Sequence, residues 1–251
     1  MNILIPMVGL GKRFSDAGFK EPKPLIKIKN KEIVRWSIES LALDGKYIFI
    51  TRKYEKEEYN EQLNNVLKDI APNSIIITVD KITEGATQSA LYAKNYINNN
   101  DPLIITNCDQ YLEWGGSKEN FLNFISNKNI DGCVTTYDHV EPKSIILNSK
   151  TPYSFIKTNK NKIAIEFSEK IAISKKMLNG IHFWRNGKDF VSSGEKIIEN
   201  NIRYNDEFYI SLTYNEMINK KKKITYFQMP KNTFFSLGTP EDLEKFKEKK
   251  I

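Results

Sequence analysis

Apolar residues first cluster at Ile3-Leu4-Ile5, a short run with no polar alternation, which predicts a strand buried on both faces. Val34, Ile38 and Leu41 follow at helical spacing, widened by Ile33 and Trp36, and predict a helix over residues 32–43. The same reading predicts strands at 47–50, 74–79 and 102–106, with amphipathic helices at 55–70 and 88–97 between them. Strands that alternate with helices indicate a parallel sheet joined by right-handed crossovers.

From Asp131 the pattern changes. Turn-separated apolar runs at 132–136, 144–147, 153–157 and 162–167 predict short strands without long helices between them, a mixed or antiparallel extension. A helix at 212–218, a strand at 224–228 and a last helix opening at Thr239-Pro240 complete the chain. Thr239 as N-cap, Pro240 in the first turn and Asp242 three residues on form a near capping box. The chain therefore reads as one α/β unit over 1–251, in two parts, residues 1–130 with alternating strands and helices and residues 131–251 with the extension.

Composition narrows the classes. With 40% hydrophobic and 27% charged residues the 251-residue chain has the balance of a soluble globular protein. No apolar run approaches the roughly 20 residues of a membrane span, so a cytoplasmic protein is expected. The net charge of +7 fits polyanionic small substrates. The basic run Lys220–Lys223 lacks interleaved aromatics and reads as a solvated connection, so neither nucleic acid nor a membrane is an expected partner. Cys108 and Cys133 sit in or just after apolar runs as free thiols, and His139 and His182 have no paired spacing. Catalysis by thiol or histidine is not expected.

The candidate chemistry begins where the first strand ends. Pro6, Met7 and Val8 lead into Gly9-Leu10-Gly11-Lys12-Arg13-Phe14, and after seven residues comes Pro22-Lys23-Pro24-Leu25. Gly9 and Gly11 let backbone N–H groups approach a phosphate, and Lys12 and Arg13 add cationic donors. A plain tight turn explains the two glycines equally well, and neither common phosphate-loop fingerprint is matched. Lys23, restricted by flanking prolines, changes the balance, because two separated cationic clamps suit two phosphate groups.

This run, G-L-G-K-R-F, a gap of seven and P-K-P-L, resembles the signature of the nucleotidylyltransferases that join a nucleoside triphosphate to a phosphorylated sugar, alditol or related metabolite. The resemblance extends in order to the C-terminus. It implies a Rossmann-like three-layer α/β fold with a mixed, mainly parallel central sheet and a small β-rich acceptor-binding extension. It also implies Arg13 and Lys23 as catalytic residues, and Met7, Gly9, Gly11, Lys12, Gly85 and Gln88 around the nucleotide. Gly85 lies in the loop 83–90, which spacing alone reads equally as an ordinary helix start. Asp109, just past the strand at 102–106, is a turn residue or, as the resemblance implies, the ligand of a Mg²⁺ cofactor. Glu169, Lys170 and Gly180 resemble the family's acceptor-binding region, although a Glu-Lys pair is commonly a surface feature. Leu237-Gly238-Thr239 resembles the C-terminal G-T segment. Many members carry Asp two residues before that Gly, and this chain has Ser236.

The expected partners are a nucleoside triphosphate and a phosphorylated small-molecule acceptor; the sequence is silent on oligomeric state. The motifs look most like the branch found in bacterial capsule and surface-polysaccharide gene sets, which favours CTP and, among acceptors, L-glutamine phosphate. Sugar or polyol phosphates are the alternative acceptors. A metal-dependent glycosyltransferase is a different class, but Asp109 is followed by Gln110-Tyr111 and not by a second acid. A catalytically silent nucleotide-binding module is the third.

Overall fold

The computed structural model describes residues 1–137 and 145–250. Its elements run β1 (Asn2–Met7), α1 (Lys12–Asp16), a 3₁₀ turn (Lys23–Leu25), the hairpin β2 (Lys27–Ile28) and β3 (Lys31–Glu32), then α2 (Ile33–Leu41). There follow β4 (Lys46–Arg52), α3 (Glu57–Ile70), β5 (Ile75–Val79), α4 (Ala86–Leu91), α5 (Lys94–Ile97), β6 (Leu103–Thr106) and β7 (Gln110–Leu112). The second half holds α6 (Lys118–Ser126), β8 (Gly132–Tyr137), β9 (Lys150–Thr158), β10 (Ala164–Ile171), β11 (Met177–Trp184) and α7 (Gly187–Glu199). Another 3₁₀ turn (Ile210–Leu212), α8 (Thr213–Asn219), β12 (Ile224–Gln228), β13 (Phe234–Ser236) and α9 (Pro240–Glu248) end the chain.

The central sheet has nine strands among the described residues, and its path β10-β9-β11-β6-β1-β4-β5 is joined at β11 by β8 and β12. Strands β6, β1, β4 and β5 are mutually parallel, and β12 is parallel to β8. β11 pairs antiparallel with β6, β8 and β9, and β10 antiparallel with β9. Only β10 and β11 therefore run against the other strands, giving the mixed, mainly parallel α/β sheet expected.

The fully buried run of β1 explains the three layers. Ile3, Ile5 and Met7 pack on one face with Val34, Ile38 and Leu41 of α2 and Leu63 and Leu67 of α3. Leu4 and Val8 pack on the other with Ala90, Phe190 and Val191. Successive strand residues alternate faces, so a strand sandwiched between helix layers must be apolar throughout. A third cluster joins Phe14, Ile28 and Trp36 to Leu243 and Phe246 of α9. That cluster seats the C-terminal helix beside the loop after β1.

The structure corrects several expectations. Lys12 and Arg13 belong to the short helix α1 and not to an extended loop. The helix expected at 88–97 starts earlier, at Ala86, and divides at Tyr92 and Ala93 into α4 and α5. Of the strand expected at 144–147, Ser144 lies outside the described residues, as does His139, and residues 145–147 are not in a strand. The stretch after Asp131 also contains a thirteen-residue helix, α7. Its Gly187 is demanded by packing, since a Cβ there would lie 2.0 Å from the Ile97 carbonyl oxygen. Within Lys220–Lys223, Lys222 is ion-paired with Asp131 and Asp189, while Lys220, Lys221 and Lys223 are exposed.

Candidate active site

Two adjoining cavities open at the carboxyl ends of β1 and β6, where open α/β sheets take ligands. One, of ≈ 530 Å³, is lined by residues 6–14, Lys23, Gly85, Asp109 and Gly238, among others. The other, of ≈ 850 Å³, is lined by Glu169, Lys170, Asn179, Gly180, His182 and Asp242, among others. Both are lined by Arg13, Ala86 and Asn107, so they form one continuous cleft. Each volume suits a small ligand.

At the base of the smaller cavity Lys23 Nζ donates to Asp109 Oδ2 in an ion pair, with side chains 17% and 25% exposed. Desolvation pushes the Asp109 carboxyl up, but the Lys23 charge and hydrogen bond outweigh it and hold it below the usual range. Lys23 is the mirror case: burial lowers its pKa, Asp109 more than restores it, and the ammonium is held above its ordinary value. Gly11 makes this packing possible. It adopts φ 67°, and a Cβ there would stand 3.2 Å from the Lys23 Cβ. Gly9 is different, because a Cβ there would meet nothing within 4 Å. Met7 is buried beneath the loop, and Lys12 and Arg13 are exposed, with no ion pair among the described residues.

Gly85 borders the cavity, but its glycine identity has a structural cause. At φ 122°, a Cβ would lie 2.5 Å from the Phe208 backbone nitrogen, and the loop is tied down by Phe208 N–H to Glu84 carbonyl at 2.7 Å. Gln88 does not line the cavity; its Oε1 accepts the N–H of Glu84, the residue before the N-cap Gly85, at 2.6 Å. Ser89 and Thr83, whose hydroxyls are hydrogen-bonded, line the wall instead.

The C-terminal segment closes the opposite side. β13 pairs with β7, placing Ser236 opposite Gln110, and Leu237 N–H donates to the Asp109 carbonyl at 2.8 Å. Ser236 Oγ donates to Asp242 Oδ2 at 2.7 Å. A Cβ on Gly238 would lie 3.2 Å from Asp109 Oδ2 and 3.9 Å from Asp242 Oδ2, so two carboxylates flank that glycine. Sequence reasoning took Asp242 only as part of a cap, which it also is: its N–H donates to Thr239 Oγ1 at 3.1 Å.

In the larger cavity, neighbouring residues of one strand line the same space because the strands are irregular. β10 shifts register between Glu169 and Ile171, with Lys170 at φ 60°, and both Glu169 and Lys170 reach the cavity. β11 shifts between Leu178 and His182, with Gly180 at φ 85° packed so closely on Asn107 that a Cβ would fall 2.1 Å from its Nδ2. Glu169 is 4% exposed and accepts from Ser154 Oγ at 2.7 Å and from Ser211 Oγ. Burial raises its carboxyl above the usual range despite those donors. Lys170 Nζ turns to the Pro152 carbonyl oxygen at 2.9 Å. His182 lines the wall, neutral, its pKa lowered by burial to about 3. The Cys108 thiol, pushed up by burial to about 12, is protonated at neutral pH.

Sequence reasoning missed Asn107, Asn179, Ser154, Ser211 and Asp242. Only their place in the folded chain marks them.

The nucleotidyl transferase family model matches residues 4–250. The bifunctional protein GlmU of Thermosipho melanesiensis is 26% identical over 222 residues, 84% of this chain and 42% of that protein, so this chain spans about two-fifths of that relative. The nucleoside-diphosphate-sugar pyrophosphorylase of Vibrio cholerae RC9 superposes with a TM-score of 0.77 at 17% identity, over 98% of this chain and 100% of that one. The inositol-1-phosphate CTP transferase of T. maritima gives 0.72 at 14%, over 98% and 96%. The CTP:phosphocholine cytidylyltransferase of Streptococcus pneumoniae gives 0.69 at 18%, over 98% and 97%. These structural likenesses establish the fold.

Proposed function

This chain belongs to the nucleotidyl transferase family, and we propose that it joins the nucleotidyl group of CTP to the phosphate of a small metabolite, L-glutamine phosphate, giving CDP-L-glutamine and pyrophosphate. The observation that carries the transfer reading is the Lys23–Asp109 pair at the base of a cleft whose two cavities share Arg13. The choice of CTP and of the acceptor rests on the motif resemblance to the capsule and surface-polysaccharide branch. Two of the fold neighbours are named for CTP, which agrees with it.

An acceptor phosphate oxygen attacks the α-phosphorus; the new P–O bond forms as the bond to the β-phosphate oxygen breaks, and the electron pair leaves with pyrophosphate. The nucleophile is already an anion, so no general base is required, and catalysis reduces to alignment and charge neutralisation. Neutral His182 and protonated Cys108 fit a mechanism that uses neither. Arg13 and Lys12 hold the β- and γ-phosphates. Lys23 draws the reacting phosphates together, with Gly9 and Gly11 giving backbone access. Lys170 holds the acceptor phosphate.

The oxygen donors here fit Mg²⁺. It is bound by one or two carboxylates with substrate phosphates and water, and Asp109 and Asp242 flank Gly238. Among the described residues no group of three or more His, Cys, Asp or Glu is placed to hold a metal ion. Asp109 would hold the ion, which when bound neutralises phosphate charge.

The test is pyrophosphate release with Mg²⁺, trying CTP, UTP, dTTP, ATP and GTP against L-glutamine phosphate and a panel of sugar and polyol phosphates. Release with CTP and L-glutamine phosphate alone supports the full reading. Release with a sugar phosphate keeps the reaction and removes the glutamine assignment, and no release with any pair rejects both.

A further inference from the structure

Among the described residues the central sheet ends in three edges, and the chain treats them differently. β10 is paired with β9 alone, but its outer edge is blunted: the register shifts between Ala164 and Glu166 and again between Glu169 and Ile171. Between the shifts the Asn215 side chain occupies the edge, accepting the Phe167 N–H at 2.8 Å and donating to the Phe167 carbonyl oxygen at 2.9 Å. β12, paired with β8 alone, directly follows Lys220–Lys223 and is crossed at Thr225, whose Oγ1 donates to the Lys162 carbonyl oxygen at 2.9 Å. Bulges, charges and covering groups are how proteins keep sheet edges from pairing with other chains.

β5 has none of these devices. It pairs with β4 alone in an unbroken register, and no other backbone group among the described residues bonds to residues 75–78. Residues 73–79 carry no charge, no proline and no glycine, and Ile75-Ile76-Ile77-Thr78-Val79 is β-branched throughout. Ile75, Ile76 and Ile77 are half-buried and Thr78 is exposed. A regular, uncharged, β-branched edge is a template for a further strand.

The strand is also compatible with its own reversal. Antiparallel pairing with a second copy about Ile77 sets Ile77 opposite Ile77, Ile75 opposite Val79 and Ile76 opposite Thr78. Residues directly opposite share a face of the sheet. Ile75, Ile77 and Val79, which face the layer of Ala90 and Val191, therefore meet the same three residues of the copy. On the other face, where α3 packs, the pairing continues with Ser74 opposite Asp80. Lys68 of α3 already donates from Nζ to the Ser74 carbonyl oxygen at 2.5 Å, and Asp80 is exposed with no ion pair among the described residues. The reversal thus brings the Asp80 carboxylate of each copy toward the Lys68 ammonium of the other, twice by symmetry.

We propose that two copies of this chain associate through β5, extending the central sheet across a two-fold axis, with Lys68 and Asp80 as the flanking ion pairs. Such an isologous contact satisfies the outward backbone groups of both edges at once. A charged peptide finds no opposite charge along residues 73–79, whereas this chain's own strand matches the edge in faces, in side-chain shape and in the charge at each end.

The test is sedimentation velocity on the full chain at micromolar concentration. The expected species has twice the 29.1 kDa mass of the chain. Thr78→Lys, which would bury an unpaired ammonium in the new strand pair, is expected to leave only the monomer. Asp80→Lys is expected to raise the dissociation constant at least about tenfold by setting like charges together, and adding Lys68→Asp to the same chain is expected to restore it. A wild-type monomer at micromolar concentration overturns the proposal. So does a dimer that persists unchanged in Asp80→Lys, an exposed position whose variant keeps the test open even if Thr78→Lys fails to fold.

Discussion

Lys23 and Asp109 are 86 residues apart in the chain and meet as an ion pair at the junction of β1, β6 and the returning C-terminal strand. The pairing is local chemistry set by fold: prolines on either side fix Lys23, and the end of β6 fixes Asp109. An ammonium and a carboxylate held at this point can each turn to a phosphate or a cation when substrate arrives.

Replacing Lys23 with Met, or Asp109 with Asn, is expected to lower kcat by about 10²–10³-fold, the scale for losing one preorganised electrostatic group. Steady-state pyrophosphate assays check this, with circular dichroism to show that the variants fold. Near wild-type turnover in a folded variant would remove the residue from the reaction.

The same pair predicts a pH signature in stability. Asp109 is held below its ordinary value of 3.8, so its contribution is present above that value and lost as pH falls through the native pKa. Lys23 is held above 10.5, so its contribution is present below that value and lost as pH rises through the native pKa. Lys23→Met is expected to cost about 1–2 kcal/mol at pH 7, less than a fully buried pair because both side chains reach solvent. Chemical denaturation at pH 7 and pH 3.5 should show a smaller cost at the lower pH, where Asp109 no longer needs its partner.

Two glycines of the smaller cavity should part company on substitution. A Cβ at Gly9 meets nothing, so Gly9→Ala is expected to keep the melting temperature while raising KM for the nucleotide about tenfold, where loop backbone and phosphate must touch. A Cβ at Gly85 runs into the Phe208 backbone, so Gly85→Ala is expected to destabilise the fold by about 1–3 kcal/mol. Thermal melts and nucleotide titrations on the two variants make the comparison.

Glu169 gives the opposite sign to a structural carboxylate. Its native pKa is raised above 4.5, so the folded state binds the extra proton and stability falls as pH rises through the native value. Glu169→Gln is therefore expected to stabilise the ligand-free protein at pH 7 by about 1 kcal/mol, with the gain vanishing near pH 4. Melting curves at the two pH values check it; a loss of stability at pH 7 would show that the charged form is favoured in the fold.

The parallel half of the sheet was legible because β1, β4 and β6 are buried on both faces and read as unbroken apolar runs, as Ile3-Leu4-Ile5 does. Helix α9 was legible from the Thr239 cap and Pro240. Helices α6 and α7 were not: α6 buries only Phe121 and Ile125, and the inner face of α7 includes Gly187, Ser193 and Gly194, which carry no hydrophobic signal. In the cleft, Lys23, Asp109, Glu169 and Lys170 could be named from motifs. The bulge at Lys170 that turns two neighbours to one cavity could not, nor could Ser211 meeting Glu169 or Asp242 meeting Ser236. Ser211 meets Glu169 across 42 residues, and Asp242 meets Ser236 only where α9 turns back on β13, and no periodic pattern encodes either contact.

The most direct measurement is the mass of the products formed from CTP and L-glutamine phosphate with Mg²⁺, resolved by liquid chromatography and mass spectrometry. Nucleotidyl transfer predicts equal amounts of pyrophosphate and a product whose mass is that of cytidine monophosphate joined through phosphate to the acceptor, both lost in Lys23→Met. Orthophosphate with CDP, or free cytidine monophosphate with no joined product for any acceptor or nucleotide in the panel, would contradict attack by an acceptor phosphate on the α-phosphorus.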